Sequence, residues 1–382
     1  MTKSNKRFRV YITLLVLIFT LIVFPWPSLA QGEEEILPPE PVTVRGKILE
    51  ITEDESIEPE PSYGDYEITY FQVMVQVLSG EHKGEIIPSQ HVVDDRMLYK
   101  LEIEEGDEVL IYLETDESGE VINANIAEIY RQKYLLYLTL IFLLSLTIFG
   151  GIKGLKTIVT LAITGLAIIK ILLPGLVAGY NPILLTVGIC AGITAITLII
   201  VSGLNKKTLA AIIGITGGVL AAGIIAMLFG SLSKLTGLGQ QEAQMLLFIP
   251  QETGFNFKGL LFAGIIIGAL GAVMDVGMSI SSSLSEIQTI KPDIGPKELM
   301  GAGMNVGRDI MGTMANTLIL AYVGASLPLL LLFYANEIPV YEFINWEVIS
   351  GEIVRALAGS IGLILTIPLT ALSVAVLGKN PK

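Results

Sequence analysis

The chain has 382 residues, is 52% hydrophobic and has a mean hydropathy of +0.66, which excludes an ordinary soluble globule of this length. Its formal net charge of −13 is unevenly spread: residues 31–133 hold 26 of the 37 acidic side chains against 7 basic ones, and the chain beyond is slightly basic. Neither part suits nucleic acid, and the single cysteine, Cys190, excludes an internal disulfide or a cysteine-built zinc site.

Residues 1–30 open with the basic stretch "MTKSNKRFR", continue with the apolar run "VYITLLVLIFTLIVF" and end in "PWPSLA". Ser28 and Ala30 provide small residues before Gln31, as a secretory signal peptide requires. The alternative is an uncleaved signal anchor. Both put residues 31–133 outside the cytoplasm.

Residues 32–61 are rich in Glu and Pro and read as a flexible edge and loop around one strand. The strands expected in the acidic segment are "VTVRGKILEI", "YEITYFQVMVQVLSG", "HKGEIIPSQHV", "GDEVLIYLET" and "VINANIAEIY". Five short alternating strands predict a small all-β domain, an OB-like barrel or a sandwich. His82 and His91 lie near Asp94 and Asp95, but their spacing matches no metal-ligand pattern, so they read as surface polar residues. The acidity favours a cation or a peptide over phosphate backbones.

Seven apolar stretches follow, each about long enough to cross a bilayer: 134–151, 157–173, 183–201, 209–229, 259–280, 310–333 and 353–377. The connection 230–258 carries a short surface helix at "GQQEAQMLLF". If the acidic domain is outside, the inner segments hold Lys153, Lys156, Lys206, Lys207, Lys291, Lys297, Arg308, Lys379 and Lys382, and the outer loops between spans hold only Lys234 and Lys258. That bias gives an outside N-terminus and a cytoplasmic C-terminus. Residues 134–382 are therefore expected to form a membrane helical bundle with a cytoplasmic elbow at 281–309, built as two short helices about the "KPDIGP" turn.

Many of the 39 glycines fall in these spans. "GITGGVLAAGIIAM" and "GIIIGALGAV" place small residues at helical spacing, which lets backbones approach in lipid. In "GAVMDVGMSISSSLSEI" the spacing continues: Gly264, Gly268, Gly271, Asp275, Ser279, Ser282 and Glu286 share one helix face. That face predicts Asp275 directed into the bundle, as a site or as a structural hydrogen bond. Asn305, Asp309, Gly312 and Asn316 form a matching face on the next span, with Arg308 beside it. Measured from the inner boundary, Asp275 lies about 7 Å deep and Asn316 about 10 Å, so the two can meet. Arg308 is placed to pair with Asp309, Glu286 or Asp275. Lys170 is expected to snorkel to the outer interface, and Glu352 and Arg355 to pair with each other at the outer face.

The stretches "GIKGLKTIVTL", "LLPGLVAGYNP", "GAVMDVGMSISSSLSEI" and "GRDIMGTMANTLILAYVGASLPLLLLF" resemble the YibE/F-like membrane proteins of bacteria, over nearly the whole chain. The resemblance implies a multi-pass protein of the bacterial cytoplasmic membrane and supplies no catalytic residue, substrate or cofactor. Nucleotide-binding, zinc-protease and serine-hydrolase motifs are absent from the sequence. Two function classes follow. One is a transporter for a small solute or ion, its site built from Asp275, Ser279, Asn305, Arg308, Asp309 and Asn316. The other is a scaffold that binds partners through the acidic domain and the elbow, with homo-oligomers compatible with either.

Overall fold

The computed structural model describes residues 41–54, 68–94, 96, 100–116, 118–249 and 254–378. The expected signal segment, most of the acidic edge, Asp95, Lys379 and Lys382 lie outside these residues. The chain divides into two compact units, one holding the strands and the other most of the helices.

All five expected strands form: β1 (Val42–Glu53), β2 (Ile68–Val77), β3 (Ile86–Asp94), β4 (Glu108–Thr115) and β5 (Val121–Ile129). They close into a barrel in the order β1-β2-β3-β5-β4, which decides between barrel and sandwich. Neighbours are antiparallel except β3 and β5, which meet in parallel at Gln90 and Asn125. The period-two pattern sends Val44, Ile48, Val73, Val75, Val109, Ile111 and Leu113 inward. Gly46 sits between the Ile111 and Val75 side chains, where a Cβ would collide with both.

The helical part comprises α1 (Gln132–Ala167), a π-helical segment (Ile168–Leu172), α2 (Leu173–Val177), α3 (Pro182–Ser202), α4 (Lys206–Leu232), α5 (Gln241–Met245), α6 (Phe257–Ile290), α7 (Pro296–Ala325), α8 (Leu327–Ala335), α9 (Val340–Phe343) and α10 (Glu347–Leu377). Three of the long helices begin at an asparagine whose side-chain oxygen accepts backbone N–H groups: Asn181 from Ile183 and Leu184, Asn205 from Thr208, and Asn256 from Gly259. Each cap satisfies donors the helix itself cannot.

Among the described residues, five helical runs are long and apolar enough to cross a membrane, or six if the bent pair α7–α8 counts as one. Seven were expected. The first two expected spans fall within one run, Gln132–Val177. Only glycine-rich sequence separates them, and it breaks the helix at Gly151, with φ 51° and ψ −131°. The sixth expected span is also different. Its helix starts at Pro296 and bends by 62° before α8. Pro328 opens α8 and cannot donate to the preceding turn. The elbow is accordingly a tight turn between two long helices, not two short helices. The short surface helix expected in 230–258 is present as α5.

The core of the bundle is a seam between α4 and α10. Gly214 and Gly218 of α4 meet Thr370, Thr366 and Gly362 of α10. Thr366 is buried and donates to the Gly362 carbonyl at 2.9 Å. Small residues allow this approach, and in lipid the resulting dispersion contact is what holds helices together. α6 packs on the seam through Val273, Val276, Gly277 and Ile280, with Gly277 against Ile215.

Candidate functional site

Asp275 does not point into the bundle. On α6, Gly264, Gly268, Gly271, Asp275, Ser279 and Glu286 are all exposed, while Ile265, Ile266, Ala269, Val273, Val276 and Ile280 are buried. α6 thus has two faces bearing small residues, and the one built on Gly277 and Ser281 turns inward. Ser281 Oγ donates to the Lys207 carbonyl at 2.7 Å, tying α6 to the start of α4.

The expected partner face on α7 is exposed as well. Asn305, Arg308, Asp309, Gly312 and Asn316 face outward, opposite Gly303, Gly307 and Leu318. Gly307 packs on Ile367, and Leu318 packs on Gly359. The polar stripe of α7 therefore faces away from α10.

The Tyr322 hydroxyl lies against Gly268, and Leu284 lies against Gly303. These antiparallel contacts set Asp275 at the depth of the stretch from Gly312 to Asn316, and Ser279 at that of Asp309. Arg308 Nη1 donates to Asn305 Oδ1 at 3.2 Å; it forms none of its three expected ion pairs among the described residues. The structure thus leaves six polar residues exposed on two adjacent helices and does not join Asp275 to Asn316.

Beside this face lies a hollow of about 270 Å³ between α1, α3 and α6. Gly271 and Met274, which flank Asp275, line it together with Thr157, Thr160, Thr164 and Thr186, and most of the remaining wall is apolar, Leu161, Ile189, Ile193 and Leu270 among it. The Thr186 hydroxyl is buried without a partner. Sequence reading missed these threonines, although their spacing at 157, 160 and 164 is a helical signature.

At the end where α6 and α10 begin, Arg355 Nη1 and Glu352 Oε1 pair at 2.9 Å, as expected. Gln240 Nε2 donates to the same carboxylate oxygen at 3.1 Å. Glu347 accepts from the Thr236 and Gly237 backbone N–H groups at 2.7 Å each, anchoring the long connection to α10.

The barrel histidines divide. His82 pairs with Glu85 at 3.1 Å near the surface. His91, expected at the surface, is only 8% exposed, packs near Phe71 and donates from Nε2 to the Leu101 carbonyl at 3.0 Å. Burial lowers its pKa below the usual 6.5, partly offset by that bond. The Arg96 guanidinium, hydrogen-bonded at 2.6–3.0 Å, holds the Asp94 carboxyl below the usual range. Among the described residues no cluster of His, Cys, Asp and Glu has metal-site geometry.

Two family profiles match the sequence. The one described as YibE/F-like protein covers residues 138–380, and the one described as YibE/F family N-terminal domain covers residues 42–129. The chain belongs to the YibE/F family. Its barrel and its helical part each coincide with one family profile. No curated protein and no solved structure matches this YibE/F chain.

Proposed function

We propose that this YibE/F protein is a multi-pass membrane transporter that moves a small solute or ion past the polar face of α6 and α7. Asp275, Ser279, Asn305, Arg308, Asp309 and Asn316 form its site. One observation carries the reading: among the described residues Asp275 has no hydrogen bond or ion pair, yet it stands within the apolar stretch of α6. A carboxylate there is expensive in hydrocarbon and is retained where water or a ligand reaches it. The threonine-lined hollow beside it supplies adjacent space. The protein acts as a carrier without covalent chemistry. It resides in the bacterial cytoplasmic membrane, with the barrel outside and the C-terminus inside.

The test is uptake of a mixed pool of small metabolites and salts into proteoliposomes, read by mass spectrometry. Wild-type vesicles are expected to accumulate at least one solute that Asp275→Asn vesicles do not, with equal protein incorporated. Equal uptake profiles would contradict transport through this site.

A second reading rests on the same exposure. A polar face that its own chain leaves uncovered suits a partner helix, and the protein would then be a scaffold. Cross-linking from Asn305 and Asn316 to a second polypeptide, with no uptake, would favour it.

A further inference from the structure

The cluster at the start of α10 is more than the ion pair read from the sequence. A cavity of about 300 Å³ adjoins it, between the π-helical segment, α2, the 237–243 stretch, α6 and α10. Arg355, Glu352, Gln240 and Glu347 form its polar side, and Leu172, Leu176 and Leu260 are among its apolar walls. The Glu347 carboxylate is already held by Thr236 and Gly237, which leaves Arg355 and Glu352 as the charges open to a ligand. Ile168 and Leu172 belong to the π-helical turn, an irregularity often found at functional sites.

Three observations mark this as a site, not a packing fault. The Arg355 and Glu352 side chains are only 19% and 16% exposed, and a buried ion pair is seldom a gain in stability over apolar packing. Five buried side-chain polar atoms lack a partner among the described residues, and Arg355 Nε is one of them. The Tyr322 hydroxyl is another, within electrostatic reach of both charges. A buried N–H or O–H donor without an acceptor is costly, and both of these lie next to the ion pair. Finally, Gly264 and Gly351 line the cavity, and a Cβ on either would meet nothing within 4 Å. Their missing side chains leave the space open.

The charges fix the ligand class. A lone anion would gain Arg355 but face Glu352, and a lone cation would meet the reverse. A molecule carrying both charges a few ångströms apart satisfies the pair as a whole. The volume is at the low end for ligand pockets, and the leucine walls suit a short apolar group. We propose that this cavity binds a small zwitterion with an apolar substituent. Its ammonium lies against Glu352, and its anionic oxygen accepts from the exposed part of the Arg355 guanidinium. The pocket does not contain Asp275, since Gly264 is eleven residues from it, about 16 Å along α6, although it shares the walls Ile168, Leu172 and Ile267 with the threonine-lined hollow. The same paired charges occur in free aliphatic amino acids and in the phosphatidylethanolamine headgroup.

The experiment measures thermal unfolding of the full-length protein in phosphatidylglycerol nanodiscs. One arm adds L-leucine, a second adds phosphatidylethanolamine to the bilayer, and two controls add 4-methylpentanoate or 3-methylbutylamine, which each carry one charge. A concentration-dependent rise in Tm with leucine, or with phosphatidylethanolamine, is expected, and which arm responds identifies the source. Arg355→Gln is expected to weaken that binding about tenfold or more. Should this variant fail to fold, Gly264→Leu tests the same point, because it fills open space and is expected to fold and block binding. No response in either zwitterion arm, an equal response to the single-charge controls, or undiminished binding in Gly264→Leu overturns the proposal.

Discussion

The barrel and the bundle handle polarity in opposite ways. In the barrel, inward positions on β1, β2 and β4 are apolar and the outer positions carry the charge. In the bundle, the buried seam is built of Gly, Ala and Thr, and the carboxylate and asparagines of α6 and α7 lie on the exposed side. The difference teaches how far polarity can serve as a compass. Where one side of an element faces water, a polar residue marks the outside. Where the surroundings are hydrocarbon, apolar residues suit both sides, and small residues mark contact without saying which contact.

The contrast can be broken by glycine substitution, where the largest effect is expected. Gly218→Leu on the α4–α10 seam would drive its side chain into Thr366 and the Gly362 carbonyl. A loss of about 3 kcal/mol or more, or failure to fold, is expected, read as thermal unfolding in detergent. Gly271→Ala on the exposed face of α6 meets nothing within 4 Å and is expected to leave Tm unchanged or slightly raised. Equal losses at both positions would erase the distinction between the two faces.

A smaller effect is expected in the barrel, from pH. His91 has a folded pKa below the usual 6.5, so the unfolded chain takes up its proton first as pH falls. Its contribution is fully present above about pH 6.5 and declines as pH drops below that value, levelling off below the folded pKa. Hydrogen-exchange protection over β3 in the full-length protein, corrected for the intrinsic exchange rate, should fall between pH 7 and 5. His91→Gln, which stays neutral, should flatten that dependence. The smallest effect belongs to Asp94→Asn. Arg96 is 56% exposed and Asp94 11%, so the pair is screened on one side and its loss is expected to leave barrel unfolding nearly unchanged; a shift of several degrees would contradict this.

The same contrast explains what could be read in advance. All five strands and the barrel were legible, because alternation against water gives each side chain one choice. His91 was missed because it is an inward position of β3 filled by a polar residue that finds the Leu101 carbonyl, a partner ten residues away. The helices of the bundle were legible from length and apolarity. Their orientation was not legible. α6 carries one small-residue face on Gly264, Gly268 and Gly271 and another on Gly277 and Ser281, and spacing alone does not rank them. Only the fit of Gly277 to Ile215 across the bundle does so. Likewise, the Glu352–Arg355 pair was legible as neighbours on a helix, whereas the cavity beside it depends on Gly264, which is distant in sequence.

The central claim is that the exposed face of α6 carrying Asp275 is in contact with water within the membrane. Single cysteines at 275 and 279, compared with 273 and 276, test it by reaction with a charged methanethiosulfonate in sealed vesicles. The native Cys190 is 2% exposed and gives a silent background. Modification at 275 and 279, with 273 and 276 unreactive, is the predicted result. Protection of 275 and 279 from the charged reagent would contradict it, placing that face against lipid or another chain instead of a solute path.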